Sequence, residues 1–240
     1  MLTGKPAAVP SGGACAFRLP RDPSCASQAR SLLAATMREL DFAADPIEDA
    51  KLAVSELVTN AHAHASSPSS SELWVWARTH PAPELVVSVY DSHRGTWPVA
   101  HEADLLDERG KGLAIVEALS SDTGTNLTRS RLTTSAGKSV WFALPLPTDW
   151  PAANRIITPA TAASQLSDVL RTRGIPATQR DGHNGNPVIN IGVLNIGVEP
   201  SAFSWRSSQG HARQPLIDLQ EAAERIVSCH ETTHPSAAPG

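Results

Sequence analysis

The chain has 240 residues, 41% of them hydrophobic and 18% charged, with a formal net charge of −4. That length suits one large domain or two small ones, and the apolar share excludes general disorder. The acidic balance excludes a basic field that would hold nucleic-acid phosphates, and no window approaches the roughly 18 apolar residues that a membrane helix needs.

Residues 1–13 read as a flexible tail without the apolar run of a signal peptide, so the expected location is the cytoplasm. The three cysteines, Cys15, Cys25 and Cys229, fit neither a disulfide framework nor a zinc pattern and read as reduced thiols. Ala14–Leu19 is a strand stopped by Pro20. From Ser24 to Leu40, residues Ala29, Leu32, Leu33, Met37 and Leu40 form one apolar helix face. A second helix starts at the N-cap Asp45 with Pro46 in its first turn, and its stripe runs Ile47, Ala50, Val54, Leu57, Val58, Ala61. The stretch Ser66–Ser71 ends it. Strands follow at Leu73–Arg78 and Leu85–Tyr90, joined through Pro81-Ala82-Pro83. Asp91–Gly110 is a long polar connection of the kind that often serves as a lid. A third helix spans Leu113–Leu119, and strands near Thr125–Leu132 and Ser139–Leu146 flank a turn at Ser135–Gly137.

Strands in hairpin-like pairs with intervening helices predict an α+β fold: a two-layer α/β sandwich with a mostly antiparallel sheet and helices on one face. Pro145–Ala153 breaks the pattern. Beyond it come a helix at Ala160–Arg171, strands at Pro187–Val198 and Ala202–Arg206, and an amphipathic helix at Leu216–Ser228. The expected division is a tail 1–13, a domain 14–147, a linker 148–159, a small α/β module 160–230 and a tail 231–240. The two NIGV copies within 187–198 reflect strand propensity and are too short to be a structural repeat.

Four groups of residues bear on chemistry. Glu56 and Asn60 lie four apart on the second helix and so share a face. A carboxylate there can take a proton, and an amide oxygen suits Mg²⁺. Asp91 ends a strand and opens the long loop, where it can accept from the exocyclic amine of a purine. Glu108-Arg109-Gly110-Lys111-Gly112-Leu113 opens the third helix. Its glycines admit phosphate oxygens to backbone N–H groups at a helix N-terminus, and Arg109 and Lys111 add charge. Gly137-Lys138-Ser139 imitates the end of a P-loop, but Leu132 stands where that motif needs glycine and a strand follows where it needs a helix. His62 and His64 point to different helix faces and read as ordinary helix residues.

The order of these motifs resembles the histidine-kinase-like (Bergerat) ATPase superfamily, and within it the compact bacterial anti-sigma-factor serine kinases. The residues that carry the likeness are Glu56-Leu57-Val58-Thr59-Asn60-Ala61, Asp91-Ser92-His93-Arg94, Gly110-Lys111-Gly112-Leu113 with Val116, and Gly137-Lys138-Ser139-Val140-Trp141. The likeness covers residues 14–147 and leaves out the C-terminal module. It implies ATP and Mg²⁺ as cofactors, Glu56 as catalytic base, Asn60 as Mg²⁺ ligand and Asp91 as the adenine acceptor. Gly95 falls on the second glycine of the usual D-x-G-x-G motif, while His93 replaces the first. Arg109, Gly110, Lys111, Gly112 and Leu113 fall on the segment that closes over the phosphates. The implied activity is a serine/threonine protein kinase; the alternative is a nucleotide- or sigma-binding module without turnover. The implied partners are a sigma factor or an anti-sigma antagonist, and a second copy of the chain, in transcription regulation without direct contact to nucleic acid or membrane.

Overall fold

The computed structural model describes residues 2–63, 70–94, 111–151, 157–182, 185–208 and 210–233. The fold is α+β, as expected, with two antiparallel sheets.

The first sheet has six strands: β1 Leu2–Thr3, β2 Ala14–Arg18, β3 Ser71–Arg78, β4 Glu84–Asp91, β5 Asp122–Arg129 and β6 Ala136–Pro145. Their spatial order is β1-β2-β3-β4-β6-β5. Strand alternation sorts β3 and β4 into two faces. Leu73, Val75, Leu85, Val87 and Val89 point to a layer of helices: α1 Cys25–Glu39, α2 Ala44–Ala63 and α3 Lys111–Leu119. Trp74, Trp76, Val86 and Tyr90 point the other way.

Helix α1 stops where Asp41 takes a left-handed backbone (φ 59°) and the Phe42 N–H closes on the Met37 carbonyl at 3.0 Å. Helix α2 buries Ile47, Ala50, Val54, Leu57 and Val58, the stripe read from sequence. It begins one residue ahead of the expected cap, with Asp45 in the first turn, where the helix dipole favours an acid.

Several expectations shift. Leu2–Thr3 pairs with β2, and a 3-10 helix at Pro6–Ser11 places Val9 in the first core. Strand β5 starts three residues earlier than its polar sequence suggested. Ser130 Oγ accepts from Leu132 N–H (3.0 Å) and Thr133 N–H (2.8 Å), which makes that stretch a turn.

The second sheet is a five-stranded meander: β7 Thr178–Asp181, β8 Pro187–Ile191, β9 Leu194–Val198, β10 Ala202–Ser207 and β11 Gly210–Pro215. The single strand expected over 187–198 is a hairpin that turns at Gly192 (φ 61°), a conformation open to glycine. Strands β7 and β11 were not foreseen, because TQRD and GHARQP carry no apolar alternation. Helices α4 Pro159–Thr172 and α5 Leu219–Thr233 pack on this sheet. Thr158 caps α4, its Oγ1 accepting from Thr161 N–H at 3.2 Å.

Helix α5 also covers the outer face of the first sheet, so helices lie on both its faces and not on one. Ala222, Ala223, Ile226 and Val227 enter the second core. Gln220, Glu221, Glu224 and Glu231, also buried, meet the first sheet. Trp76 Nε1 donates to Glu221 (3.1 Å), Arg131 donates to Gln220 (2.7 Å), and Asp218 accepts from the backbone N–H groups of Thr79 (2.8 Å) and His80 (3.0 Å). The polar stripe of this amphipathic helix is thus the underside of an interface.

Candidate functional site

Glu56 and Asn60 are half-buried on α2, one turn apart, beside the residues that anchor the helix in the core. Helix α3 crosses close to them. A Cβ at Gly112 would lie 2.5 Å from Glu56 Oε2, so the first turn of α3 rests against this carboxylate, and a side chain at 112 would turn the flexible Glu56 aside. Lys111 is the first residue of α3, and Leu113 turns into the first core. Gly95, Arg109 and Gly110 lie outside the described residues.

Asp91 is the last residue of β4 and is 2% exposed. The ladder that holds it opposes Ser71 on one side and Lys138 on the other. Beyond the strand, Ser92 N–H donates to the Ser70 carbonyl (3.2 Å) and Ser92 Oγ accepts from Ser70 N–H (3.0 Å), which extends the pairing one step. Asp91 Oδ1 accepts from His93 N–H at 2.9 Å. Lys138 Nζ stands 3.1 Å from Asp91 Oδ2 as an ion pair, and donates at 2.6 Å to the His93 carbonyl. No hydrogen-bond donor among the described residues is directed at Oδ2, although the atom is buried.

Lys138 was not foreseen as a site residue. Its triplet reads in the sequence as a false P-loop and as part of the strand that carries the family likeness, and the structure shows a strand there. What brings Lys138 to Asp91 is register, and register depends on Gly137. A Cβ at Gly137 would lie 2.4 Å from the Asp91 carbonyl and from the Tyr90 ring. Only a bare residue lets β6 close on the end of β4. The signal that could have found Lys138 is the antiparallel pairing of a strand ending in Asp with one beginning in Gly-Lys. His93 needs no glycine, because Asp41 is the sole described non-glycine residue with positive φ, and it is the His93 backbone that engages Asp91.

These features fit a purine nucleotide in two respects. A buried carboxylate oxygen lacking a directed donor suits an exocyclic amine. A helix N-terminus opened by glycine beside a carboxylate and an amide suits phosphates that share a hard cation. An antiparallel sheet layered with helices, carrying such a corner, defines a nucleotide-binding α+β domain. The family profile of the histidine kinase-like ATPase domain matches residues 19–143, a little over half of the chain, and the chain belongs to that family. Membership makes this an ATP-binding domain. The match stops short of α4, α5 and the second sheet. No curated protein matches the chain. Among the described residues no helix is long and apolar enough to cross a membrane.

Proposed function

We propose that the domain binds Mg-ATP and transfers the γ-phosphate to a serine or threonine of a partner protein, as an anti-sigma-factor kinase does. The observation that carries this reading is the seating of Glu56 against Gly112, which puts a half-buried carboxylate at the start of the helix where phosphates would lie. Glu56 takes the hydroxyl proton as the serine or threonine oxygen attacks the γ-phosphorus, and ADP leaves. Asn60 holds Mg²⁺, which neutralises charge on the phosphates. Asp91 accepts from the adenine amine through Oδ2. Arg109, Gly110, Lys111, Gly112 and Leu113 belong to the segment that closes over the phosphates, and Gly95 is the second glycine of the motif that follows Asp91. The setting that goes with this activity is cytoplasmic transcription regulation, with a sigma factor or an anti-sigma antagonist as partner and a second copy of the chain as a further one. Residues 14–147 make up the catalytic unit, and 160–230 a module docked on it through α5.

A second reading, a nucleotide- or sigma-gated interaction module without turnover, draws support from Lys138. Its ion pair with Asp91 competes with any amine for the same carboxylate. The Glu56→Gln variant separates the two. Gln keeps the size and one acceptor oxygen but cannot take the proton, and losing a general base costs about 10²–10⁴ in rate. The kinase reading expects phosphotransfer from labelled ATP to antagonist proteins to collapse while ATP affinity stays within about twofold, a shift of ~0.4 kcal/mol. Wild-type protein that binds ATP and transfers no phosphate establishes the module reading.

A further inference from the structure

We propose that Glu231, in the C-terminal module, is a positioning residue for the adenine corner, so that α5 sets the affinity of the nucleotide site. The inference rests on the nucleotide reading of Asp91 and extends it beyond residues 19–143.

Glu231 lies in the last turn of α5 and is fully buried. Its carboxylate is shared by two guanidinium groups from the first sheet's side of the interface. Oε1 accepts from Arg129 Nε at 2.5 Å, and Oε2 accepts from Arg94 Nη2. A carboxylate out of water is tolerated only when paired, so its place and the places of its two partners are mutually determined. Arg129 closes β5, a strand already fixed by its ladder. Arg94 is different. It lies three residues past Asp91, in the run that leaves the sheet.

That run is held at four points. Asp91 is held in the β4 ladder; Ser92 is held by its two bonds to Ser70; His93 is held by its N–H on Asp91 Oδ1 and by Lys138 Nζ on its carbonyl; Arg94 is held by Glu231. The first three holds belong to the ATPase sheet itself. The fourth comes from a helix whose other face is built into the second core. The His93 N–H orients the carboxylate that would accept the amine, and the residue next to His93 is tied to α5. Releasing Arg94 therefore lets the Asp91 turn relax, although Glu231 is outside the pocket. Docking of the C-terminal module and nucleotide binding are coupled through this one carboxylate.

The test uses the full-length chain, ATP titrated calorimetrically with Mg²⁺ present, and thermal melts of each protein without nucleotide. The variants are Glu231→Gln, Arg94→Gln, the double variant, and Asp91→Ala as reference. The expected result is ATP affinity weakened about fivefold or more in each single variant. The double variant should be no weaker than the worse single one, because both remove the same contact. A purely structural role would lower the melting temperature and leave the affinity of the folded protein unchanged, and that result overturns the proposal. Should Glu231→Gln fail to fold, Arg94→Gln, in a partly exposed turn, decides by the same criterion. Asp91→Ala binding ATP as tightly as wild type would remove the nucleotide reading itself and this proposal with it. Asp91→Ala weakened with both glutamine variants unchanged would overturn the positioning role alone.

Discussion

Replacing Glu224 by glutamine should destabilise the whole chain by about 3–5 kcal/mol, the usual cost of breaking a buried ion pair. Glu224 is 5% exposed and sits at the centre of the contact between α5 and the first sheet. It accepts from Arg131 Nε (3.0 Å) and Nη2 (2.6 Å), from Arg173 Nη1 (2.6 Å) and from Thr128 Oγ1 (3.0 Å). Both guanidinium groups also lie over the Trp74 ring, at 5.2 and 5.3 Å. Gln keeps the shape and one acceptor but leaves two buried cations without their counter-charge. At about 2–4 °C per kcal/mol for a chain of this size, the melting temperature should fall by roughly 6–20 °C. Urea unfolding followed by tryptophan emission measures the loss.

The dependence on pH is a second check on Glu224. Burial alone would raise its pKa, but Arg173 and then Arg131 outweigh burial and hold the group below its ordinary value of 4.5. A folded pKa below the unfolded one gives stability that is present above the unfolded value and lost as pH falls through the folded value. The gap between wild type and Glu224→Gln should therefore be full at neutral pH and narrow in acid. A loss under about 1 kcal/mol at neutral pH, the range of exposed pairs, would refute the reasoning. So would a gap that widens on acidification.

Three further outcomes follow from the same geometry. Gly112→Ala should keep or slightly raise stability, since Ala exceeds Gly by about 1 kcal/mol inside a helix. It must push Glu56 Oε2 aside from 2.5 Å, so phosphotransfer should fall; unchanged transfer by the folded variant would mean that Glu56 does not act from this position. Asp91→Ala should weaken ATP more than GTP in parallel titrations, because guanine offers a carbonyl oxygen where adenine offers an amine; equal losses would make Asp91 a shaper of the loop only. A chain ending at residue 150 should unfold at lower urea than the full chain and show red-shifted tryptophan emission, as Trp74 and Trp76 lose the cover of α5; an unchanged midpoint and spectrum would show that the cover contributes nothing.

What was legible in the sequence was local. The 3.6-residue period exposed α1 and α2, and the same period put Glu56 and Asn60 on one face. The β-branched run of β4 exposed a strand that ends on Asp91. What escaped was whatever depends on pairing at a distance. Lys138 reaches Asp91 only through the β4–β6 register, and that register turns on the absence of a side chain at Gly137. Strands β7 and β11 are polar edges with no alternation to read. Glu221, Glu224 and Glu231 obey the rule for a water-facing helix stripe, and nothing in their spacing announces the arginines that meet them. The roles proposed for Gly95, Arg109 and Gly110 rest on the family likeness, because these residues lie outside the described ones.

A helix packed against a sheet on each of two sides constrains evolution differently from a surface appendage. Glu224 can change only if Arg131 and Arg173 change with it, and these three come from separate parts of the chain. One of them, Arg131, lies inside the family segment of residues 19–143, and two lie outside it. Among ATPases of this family, an arginine at the position of Arg131 should therefore track the presence of a C-terminal module of this kind. Shorter homologues, with no acid to meet it, should carry a neutral residue there. If the expectation holds, that single position marks the two-sheet architecture even in an incomplete gene.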